Sequence, residues 1–576
     1  MVGIQRLLIA NRGEIAVRVV RACRELGISP VVAAEPADRT AFASSIADAV
    51  VVVSSYLHAE SLVGAAVDAG TDAVHPGYGF LSEDPEFAEA VVGAGLRWVG
   101  PPASAMRLLA DKVAARELAR SAGVPVVPGS DGSDLSDAAL ERDARELGAP
   151  LLVKAAAGGG GRGIRVIDDL DDVRSALAAA RAEASASFGD DRVFVERRMT
   201  PARHVEVQVA FDGRGNALHL GERDCSLQRR HQKIVEESPS PAVGPDLRAS
   251  LGRCALAVAT GAGYEGLGTA EFLLRDDGTW YFLEMNARLQ VEHPVTEAVT
   301  GLDLVRIQLV VAGGEPLPVR DRDVHVTGHA IEARVYAEDP AAGFLPTGGR
   351  VELLDLPRWP GVRIDTALRQ GDDVTLGFDP LLAKVVAVAE SRPASLARLR
   401  AALQEVRIVG VPTNLGFLID ALDDAVVVEG RADVDWVESS WVANVPPLPG
   451  GVRAAANGAD PWVAFGSGGV ATPGVAVAGA HALYRGWSYQ LADAGEDAAE
   501  LAPPGGSLVA PMPASVRDVA VAVGDEVAAG QVVVTLEAMK MHMEVSIPSA
   551  GTVRAVHVRA GDVVAKGEVL LEVDEP

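Results

Sequence analysis

The sequence predicts a multidomain α/β chain that ends in an all-β domain. Near the N-terminus, an apolar strand (Arg6 to Ala10), a helix and a second strand (Pro30 to Ala34) follow one another, as in a doubly wound sheet. Near the C-terminus, a pattern of short strands occurs twice, so that Gly524-Asp525 recurs 37 residues later as Gly561-Asp562. With 576 residues, the chain has room for several domains between these two regions.

The first strand and helix predict a Rossmann-like N-terminal domain. The helix is amphipathic, with Ile15 and Val19 near one face, and Gly27 ends it. The turn before it, Asn11-Arg12-Gly13, lacks the G-x-G-x-x-G pattern, which makes a dinucleotide site a weak interpretation. Ligands are expected at the carboxyl ends of the strands, where a Gly-rich turn begins at His75.

Composition limits the class of protein. The net charge of −27 argues against binding to nucleic acids and to anionic membranes, and it means that anionic substrates need a locally basic site. The odd set of Cys23, Cys225 and Cys254 has no metal-like spacing and indicates a reducing compartment. Without a signal-like N-terminus or a span of about 20 apolar residues, we expect a cytoplasmic protein.

A glycine run lies between two apolar strands. Lys154 ends the first strand and Ile164 begins the second, and the glycines between them are Gly158, Gly159, Gly160, Gly161 and Gly163. A flexible linker is the common interpretation of such a run. Its position between strands, with a lysine at its entrance, favours a loop whose backbone N–H groups bind a polyphosphate. The pattern is not a Walker A motif, because no Gly-Lys-Ser/Thr follows.

The segment from Glu222 to Glu237 is the most basic part of this acidic chain. It could be a solvated charge run, but its basic residues also suit small anions such as bicarbonate and phosphate. A Cys225–His231 nucleophile pair is a further interpretation, which we discount because no acyl-enzyme motif surrounds Cys225.

Two predicted strands carry oxygen ligands. Glu271 lies in the first, and Glu284 and Asn286 lie at the end of the second. Each carboxylate alone could be a paired surface group. Together, two carboxylates and an amide oxygen on neighbouring strands suit Mg²⁺ or Mn²⁺ bound to nucleotide phosphates.

Lys540 lies where the two copies of the C-terminal repeat meet. Most lone lysines are ordinary surface residues, but Lys540 has Met539 and Met541 on either side, on a predicted hairpin. This stretch resembles the biotinyl carrier domain, whose lysine carries biotin through an amide. Lipoyl domains are the nearest alternative, but they rarely have methionine on both sides of the lysine.

The segments before it resemble biotin carboxylases, which are ATP-grasp enzymes, and the block from Glu222 to Glu297 carries most of the resemblance. The resemblance implies that Glu292 is the general base for bicarbonate and that Arg334 stabilises the enolate of biotin, with Lys233 and Arg288 completing the catalytic set. The implied ATP contacts, besides the glycine run, are Lys112, Lys154, Glu196, His204, Gln228 and His231. Bicarbonate is implied at Lys233, Arg288, Gln290 and the backbone of Val291, and two metal ions at Glu271, Glu284 and Asn286.

The resemblance also implies the domain order. A biotin carboxylase N-terminal domain (1–112) precedes an ATP-grasp domain (113–325, with a lid at about 131–203) and a biotin carboxylase C-terminal domain (326–445). A linker or bridging segment (446–506) then leads to a biotinyl domain of the barrel-sandwich type (507–576).

The implied function is ATP- and bicarbonate-dependent carboxylation of biotin on Lys540. No segment resembles a carboxyltransferase, so we expect a separate β subunit that carboxylates acetyl-CoA or propionyl-CoA, a biotin protein ligase as a further partner, and a homo-oligomer within a hetero-oligomeric complex. Pyruvate-, methylcrotonyl-CoA- and urea-type carboxylases are alternatives. A passive biotin carrier is a less favoured one, because the implied catalytic positions are intact.

Overall fold

The structure is a computed structural model that describes residues 3–158, 163–449, 474–491, 507–510, 514–538, 541–564 and 568–574. Among these residues, no helix is both long and apolar enough to cross a membrane.

The N-terminal region forms a parallel sheet of strand order β3-β2-β1-β4-β5, which confirms the doubly wound prediction. Its strands are β1 (Arg6–Ile9), β2 (Ser29–Ala34), β3 (Ala49–Val52), β4 (Ala73–His75) and β5 (Arg97–Trp98), and its helices are α1 (Gly13–Leu26), α2 (Phe42–Ile46), α3 (Ala59–Asp68), α4 (Pro85–Gly93) and α5 (Ala103–Ala110). The strand order reverses between β1 and β4, which is where such folds bind ligands. There, Asn11 Nδ2 donates to the carbonyls of Pro76 at 2.6 Å and Tyr78 at 2.8 Å, joining the two loops.

A small α/β unit follows. It contains α6 (Lys112–Ser121), α7 (Asp137–Leu147), β6 (Leu151–Ala155), β7 (Ile164–Ile167), α8 (Val173–Phe188) and β8 (Val193–Arg197). The strands form an antiparallel sheet in the order β7-β6-β8. Buried side chains from α7 and α8, such as Leu140 and Leu177, pack against Leu151 and Val195 of that sheet. This packing fixes the two strands that flank the glycine run.

The central region contributes β9 (Arg203–Phe211), β10 (Ala217–Arg229), β11 (Gln232–Ser238), α9 (Pro245–Gly261), β12 (Gly266–Leu274), β13 (Trp280–Asn286), α10 (His293–Thr300) and α11 (Leu304–Ala312). The next region contributes β14 (His329–Tyr336), β15 (Glu338–Asp339), β16 (Leu345–Pro346), β17 (Gly349–Arg350), β18 (Leu353–Asp355), β19 (Val362–Thr366), β20 (Asp373–Val374), β21 (Leu381–Ala389), α12 (Arg392–Glu405), β22 (Arg407–Val409), α13 (Leu415–Asp423), α14 (Ala425–Val428) and α15 (Trp436–Ser440).

One antiparallel eight-stranded sheet joins these two regions, in the order β13-β12-β9-β10-β11-β14-β21-β19. The connection is the pairing of β11 with β14, in which Glu236 lies opposite Glu332. Because side chains directly opposite each other in neighbouring strands share a face, residues far apart in the sequence line one surface. That surface carries the candidate site.

A three-stranded antiparallel sheet lies within the predicted linker. Its strands are β23 (Val475–Ala478), β24 (His481–Tyr484) and β25 (Trp487–Gln490). It packs on the preceding region through Trp487, whose ring leaves no room for a side chain at Gly416 on α13. His481 Nδ1 also lies 3.3 Å from Glu352.

The C-terminal region forms two antiparallel four-stranded sheets, β26-β33-β31-β28 and β30-β29-β27-β32, as the predicted all-β domain requires. Its strands are β26 (Ser507–Val509), β27 (Ala514–Val519), β28 (Glu526–Val527), β29 (Val532–Ala538), β30 (Met541–Ser546), β31 (Gly551–Val556), β32 (Val563–Val564) and β33 (Val569–Asp574). Each sheet contains strands from both copies of the repeat, and Val516 and Val553 are equivalent core residues. Ala538 pairs with Met541 across the β29–β30 hairpin. Lys540 itself lies outside the described residues.

Candidate active site

A row of charged side chains crosses four strands of the large sheet. Glu271 on β12 lies opposite Glu284 on β13 on one side and opposite Glu206 on β9 on the other. Glu206 in turn lies opposite Arg223 on β10. Strand β9 explains how such residues come to be buried. Its polar side chains His204, Glu206 and Gln208 alternate with valines that pack in the core on the other face.

Lys233 is the centre of this site. Its ammonium lies 2.8 Å from Glu271 Oε1 and 2.6 Å from Glu292 Oε1, and it also bonds Glu206. Burial opposes the charge on this lysine, but the three carboxylates outweigh that penalty and hold its pKa well above the usual value. Lys233 is therefore a fixed cation at neutral pH.

Glu292 is held between two cations. Its second oxygen accepts from Arg334 Nη2 at 2.9 Å, and the same guanidinium also contacts Glu236. Burial opposes ionisation of Glu292, yet Lys233 and Arg334 keep its pKa well below the usual value. The carboxylate is thus ionised, which a proton acceptor must be, and it is also fully buried.

Glu271, a predicted metal ligand, contacts side chains from three other segments of the chain. Its Oε1 accepts from Asn286 Nδ2 at 2.9 Å and from Gln290 Nε2 at 3.1 Å, and its Oε2 lies 3.0 Å from His204 Nε2. Burial lowers the pKa of His204, but Glu271 outweighs this effect and raises it.

The third predicted metal ligand, Glu284, pairs with Lys112 at 3.1 Å. Two carboxylates and an amide, each contacted by a cation or a donor, form an oxygen-rich set that fits a hard divalent ion. Among the described residues, His, Cys and carboxylate ligand atoms lie within 4.8 Å of one another in two other sets, which share Glu206: His204, Glu206 and Glu271, and Glu206, Cys225 and Glu292. Glu206 is therefore a further candidate ligand beyond the predicted three.

Arg288 and Gln290 lie on the loop that leads from β13 to α10, and Glu292 ends that loop. Arg288 Nε lies 3.0 Å from Glu83 Oε2, its Nη2 donates to Asn286 Oδ1 at 3.1 Å, and it also bonds Gln290. Glu83 comes from the Gly-rich turn after β4, so the N-terminal sheet contributes to the site through an ion pair.

The predicted nucleotide residues lie at the edge of the same site. Lys154 on β6 pairs with Glu196 on β8, which also accepts from Arg116 at 2.9 Å. Lys112 Nζ donates to the carbonyl of Gly158 at 2.6 Å. Gly158 has a φ of +87°, and a Cβ there would collide with the Phe188 ring, so the entrance of the run requires glycine.

The remaining predicted ATP contacts are partly described. Gln228 is buried on β10 opposite Lys233, and His231 is exposed in the turn between β10 and β11, with a φ of +64°. Gly163 begins the strand side of the glycine run, with a φ of +67°. Gly159, Gly160 and Gly161 lie outside the described residues.

Sequence reasoning did not single out Arg223 as a structural centre, nor Glu206, Glu236 and Glu83 as neighbours of the site. Arg223 is fully buried and bonds Glu206, while its Nη1 donates at 2.9 Å to both Gln208 Oε1 and Thr296 Oγ1. The sequence of β9 did contain a signal for the buried position of Glu206. Polar residues that alternate with valine on a strand indicate a polar face inside the protein.

Four family models match the chain. They are described as "Biotin carboxylase, N-terminal domain" (residues 3–106), "Carbamoyl-phosphate synthase L chain, ATP binding domain" (111–320), "Biotin carboxylase C-terminal domain" (332–439) and "Biotin-requiring enzyme" (506–573).

The biotin carboxylase of Pseudomonas aeruginosa is 46% identical over 444 residues, which are 76% of this chain and 98% of that protein. The mitochondrial methylcrotonoyl-CoA carboxylase subunit alpha of Glycine max is 43% identical over 76% of this chain, but the match spans only 61% of that relative. The biotin carboxylase domain of the Hydrogenobacter thermophilus 2-oxoglutarate carboxylase, solved with MgADP, ADP and bicarbonate, has a TM-score of 0.74 at 40% identity and covers 76% of this chain and 97% of that one.

The fold and the site therefore define an ATP-binding ligase of the carboxylase type. The chain belongs to the biotin carboxylase family, and it joins a biotin carboxylase to a biotin carrier domain.

Proposed function

We propose that this chain is the α subunit of an acyl-CoA carboxylase, in which it carboxylates biotin on Lys540 with ATP and bicarbonate. The observation that carries the carboxylation of biotin is the buried, ionised carboxylate of Glu292 between Lys233 and Arg334. The acceptors are acetyl-CoA and propionyl-CoA, bound by a separate carboxyltransferase β subunit.

Glu292 is the general base of this proposal. It accepts the proton of bicarbonate, and the freed bicarbonate oxygen attacks the γ-phosphate of ATP while ADP leaves. Each oxygen of Glu292 accepts one hydrogen bond, so lone pairs remain to receive the proton. The Hydrogenobacter thermophilus relative, solved with MgADP and bicarbonate, supports this pair of substrates.

The residues around Glu292 bind and orient the substrates. Arg288, Gln290 and the backbone of Val291 bind bicarbonate together with Lys233. Lys112, Lys154 and the glycine run bind ATP, together with Glu196, His204, Gln228 and His231. The cations of these two sets, Lys112, Lys154, Lys233 and Arg288, offset the phosphate charge in a protein whose net charge is −27.

Two Mg²⁺ or Mn²⁺ ions fit the oxygen ligands of Glu271, Glu284 and Asn286, which Lys112, Lys233 and Gln290 now contact. A metal bound there would screen the phosphate oxygens of ATP. The carboxyphosphate formed from bicarbonate and the γ-phosphate would break down to CO₂ and phosphate. The phosphate would take the proton from N1′ of biotin on Lys540, and that nitrogen would then bond to the CO₂. Arg334, a cation held rigidly by Glu236 and Glu292, stabilises the negative charge that develops on the ring.

The relatives support the proposed partners. The Glycine max protein is a subunit alpha, which supports an assembly with a carboxyltransferase β subunit, and the Hydrogenobacter thermophilus domain is a dimer, which supports a homo-oligomer here. A biotin protein ligase is needed to load Lys540. Methylcrotonoyl-CoA is the second candidate acceptor, because the Glycine max relative is named for it. Pyruvate and urea are further alternatives.

The test is to purify the biotinylated chain with the partner that it binds, and to follow ¹⁴C from bicarbonate into acetyl-, propionyl- and methylcrotonoyl-CoA, pyruvate and urea. ATP-dependent label on acetyl- or propionyl-CoA is expected, and Lys540→Arg should abolish it. If the label reaches the protein and then methylcrotonoyl-CoA, pyruvate or urea, but neither acetyl-CoA nor propionyl-CoA, the proposed acceptor would be overturned. Absence of label on the protein would overturn the proposed activity.

A further inference from the structure

Lys384 is a fully buried lysine that the mechanism above does not use. It lies on β21, which β14 separates from β11, the strand that carries Lys233. Its Nζ lies 2.9 Å from Glu14 Oε1 and donates at 2.9 Å to the carbonyl oxygen of Val291. Asp365 is the next carboxylate, at 3.9 Å.

A lysine without exposed surface requires strong compensation, because leaving water is costly for a charge. Burial lowers the pKa of Lys384, but Glu14, Glu332 and Asp365 outweigh that effect and raise it. Lys384 therefore donates as a cation, and hydrogen bonds from charged donors are the stronger kind.

The partners of Lys384 come from separate parts of the chain. Glu14 lies in the first turn of α1, where it also accepts a bond from Tyr78 of the Gly-rich turn. Val291 lies in the loop between β13 and α10, directly before Glu292. Lys384 thus links α1, β21 and the loop that carries the base.

We propose that Lys384 is a positioning residue, which fixes the Val291–Glu292 backbone for bicarbonate through its bond to the Val291 carbonyl. The inference rests on the proposed function of Glu292 and Val291. Rotation of this peptide would move the Glu292 N–H group, which shares the peptide plane with the Val291 carbonyl, together with the attached Glu292 side chain. Lys384 has no contact with the predicted ATP residues Lys112, Lys154 or Glu196 among its described bonds. Its loss should therefore affect bicarbonate more than ATP.

The test is the kinetics of bicarbonate-dependent ATP hydrolysis with free biotin in the full chain, for the wild type and Lys384→Met. We expect kcat/KM for bicarbonate to fall by about tenfold to 100-fold, as misplacement of reacting groups by about 1 Å does. The KM for ATP should stay within about twofold, since distant sites act independently. Arg392→Met is the matched control, because Arg392 is also a largely buried cation, and its described bonds go to Glu237 and to the carbonyls of Val427 and Val428 rather than to the loop.

A second variant keeps the test valid if Lys384→Met does not fold. Lys384→Met combined with Glu14→Gln removes both charges of the pair, which buried sites tolerate better than the loss of one. This variant still lacks the donor to Val291, so the selective effect on bicarbonate should persist.

The positioning role would be overturned if, in either folded variant, the KM for ATP rose by as large a factor as kcat/KM for bicarbonate fell. An unchanged kcat/KM for bicarbonate would overturn it as well. An equal loss in Arg392→Met would do the same, because the effect would then be one of general packing. A wild-type chain without bicarbonate-dependent hydrolysis would instead overturn the proposed function, and the role of Lys384 with it.

Discussion

At the residue scale, the site depends on cations that compensate buried carboxylates. Lys233 holds Glu206, Glu271 and Glu292 in one cluster, and none of the four side chains is more than 12% exposed. Without the lysine, three carboxylates would face one another in a site that water barely reaches. In the proposed function, substrate binding and the stability of the fold therefore both depend on Lys233.

Lys233→Met should destabilise the chain strongly. Removing one partner from a buried ion cluster costs about 3–5 kcal/mol, because the remaining charges lose their compensation. Urea denaturation followed by tryptophan fluorescence measures this loss. Arg174→Met is the control, because Arg174 forms an exposed pair with Glu141 and should leave the unfolding midpoint unchanged. A wild-type midpoint for Lys233→Met would contradict the account of the cluster.

His75 should make the fold sensitive to acid. Burial lowers its pKa from 6.5 to about 4, although a bond to Gln308 partly opposes this. Because the folded-state pKa lies below the unfolded one, the associated stability is complete above pH 6.5 and is lost as the pH falls towards 4. The linked free energy is about 3 kcal/mol.

His75→Gln should therefore flatten the fall in the free energy of unfolding between pH 6.5 and pH 4, whatever its cost at neutral pH. Denaturation curves at several pH values for both proteins measure this slope. Parallel curves for the variant and the wild type would exclude His75 as the source.

At the element scale, the sequence predicts those helices and strands whose own residues show a periodic pattern. The apolar run of β1, the amphipathic α1 and the 37-residue repeat each indicate their own structure, because periodicity follows from the geometry of one element. The order of the eight strands has no such signal. It brings Glu236 opposite Glu332, almost 100 residues away, through packing that only the folded chain defines.

The same distinction applies to the site. The resemblance indicated Glu292, Arg334 and Lys233 as candidates, and the structure brings these three into contact. The pairing of Lys384 with Glu14 and of Glu83 with Arg288 could not be predicted, because each joins segments separated by a long stretch of chain. A lysine within an apolar strand, as Lys384 is, gives no indication of which carboxylate compensates it.

The β29–β30 hairpin gives a prediction about independence of the two functional parts. Lys540→Arg should abolish biotinylation, because arginine cannot form the amide, and it should leave ATP hydrolysis with free biotin within about twofold of the wild type, since distant sites act independently. A streptavidin blot and an ADP-release assay measure the two properties. Loss of both would contradict separable carrier and carboxylase domains.

At the scale of the whole molecule, an acidic protein binds anionic substrates through a local set of cations. The net charge is −27, yet Lys112, Lys154, Lys233, Arg288 and Arg334 all belong to the candidate site. Carboxylates hold each of these cations in position, which preorganises the site before substrate arrives. The proposed reaction also needs a carboxylate in this network that can accept a proton, and we propose that Glu292 is that group.

The most direct measurement is the rate of bicarbonate-dependent ATP hydrolysis in Glu292→Gln, compared with the wild type and with Glu141→Gln as an exposed control. Glutamine preserves the shape but cannot accept the proton, so the rate should fall by at least about 100-fold. ATP binding by calorimetry should be unchanged, and Glu141→Gln should behave as the wild type. Undiminished turnover in Glu292→Gln would contradict the central claim that this buried carboxylate is the base.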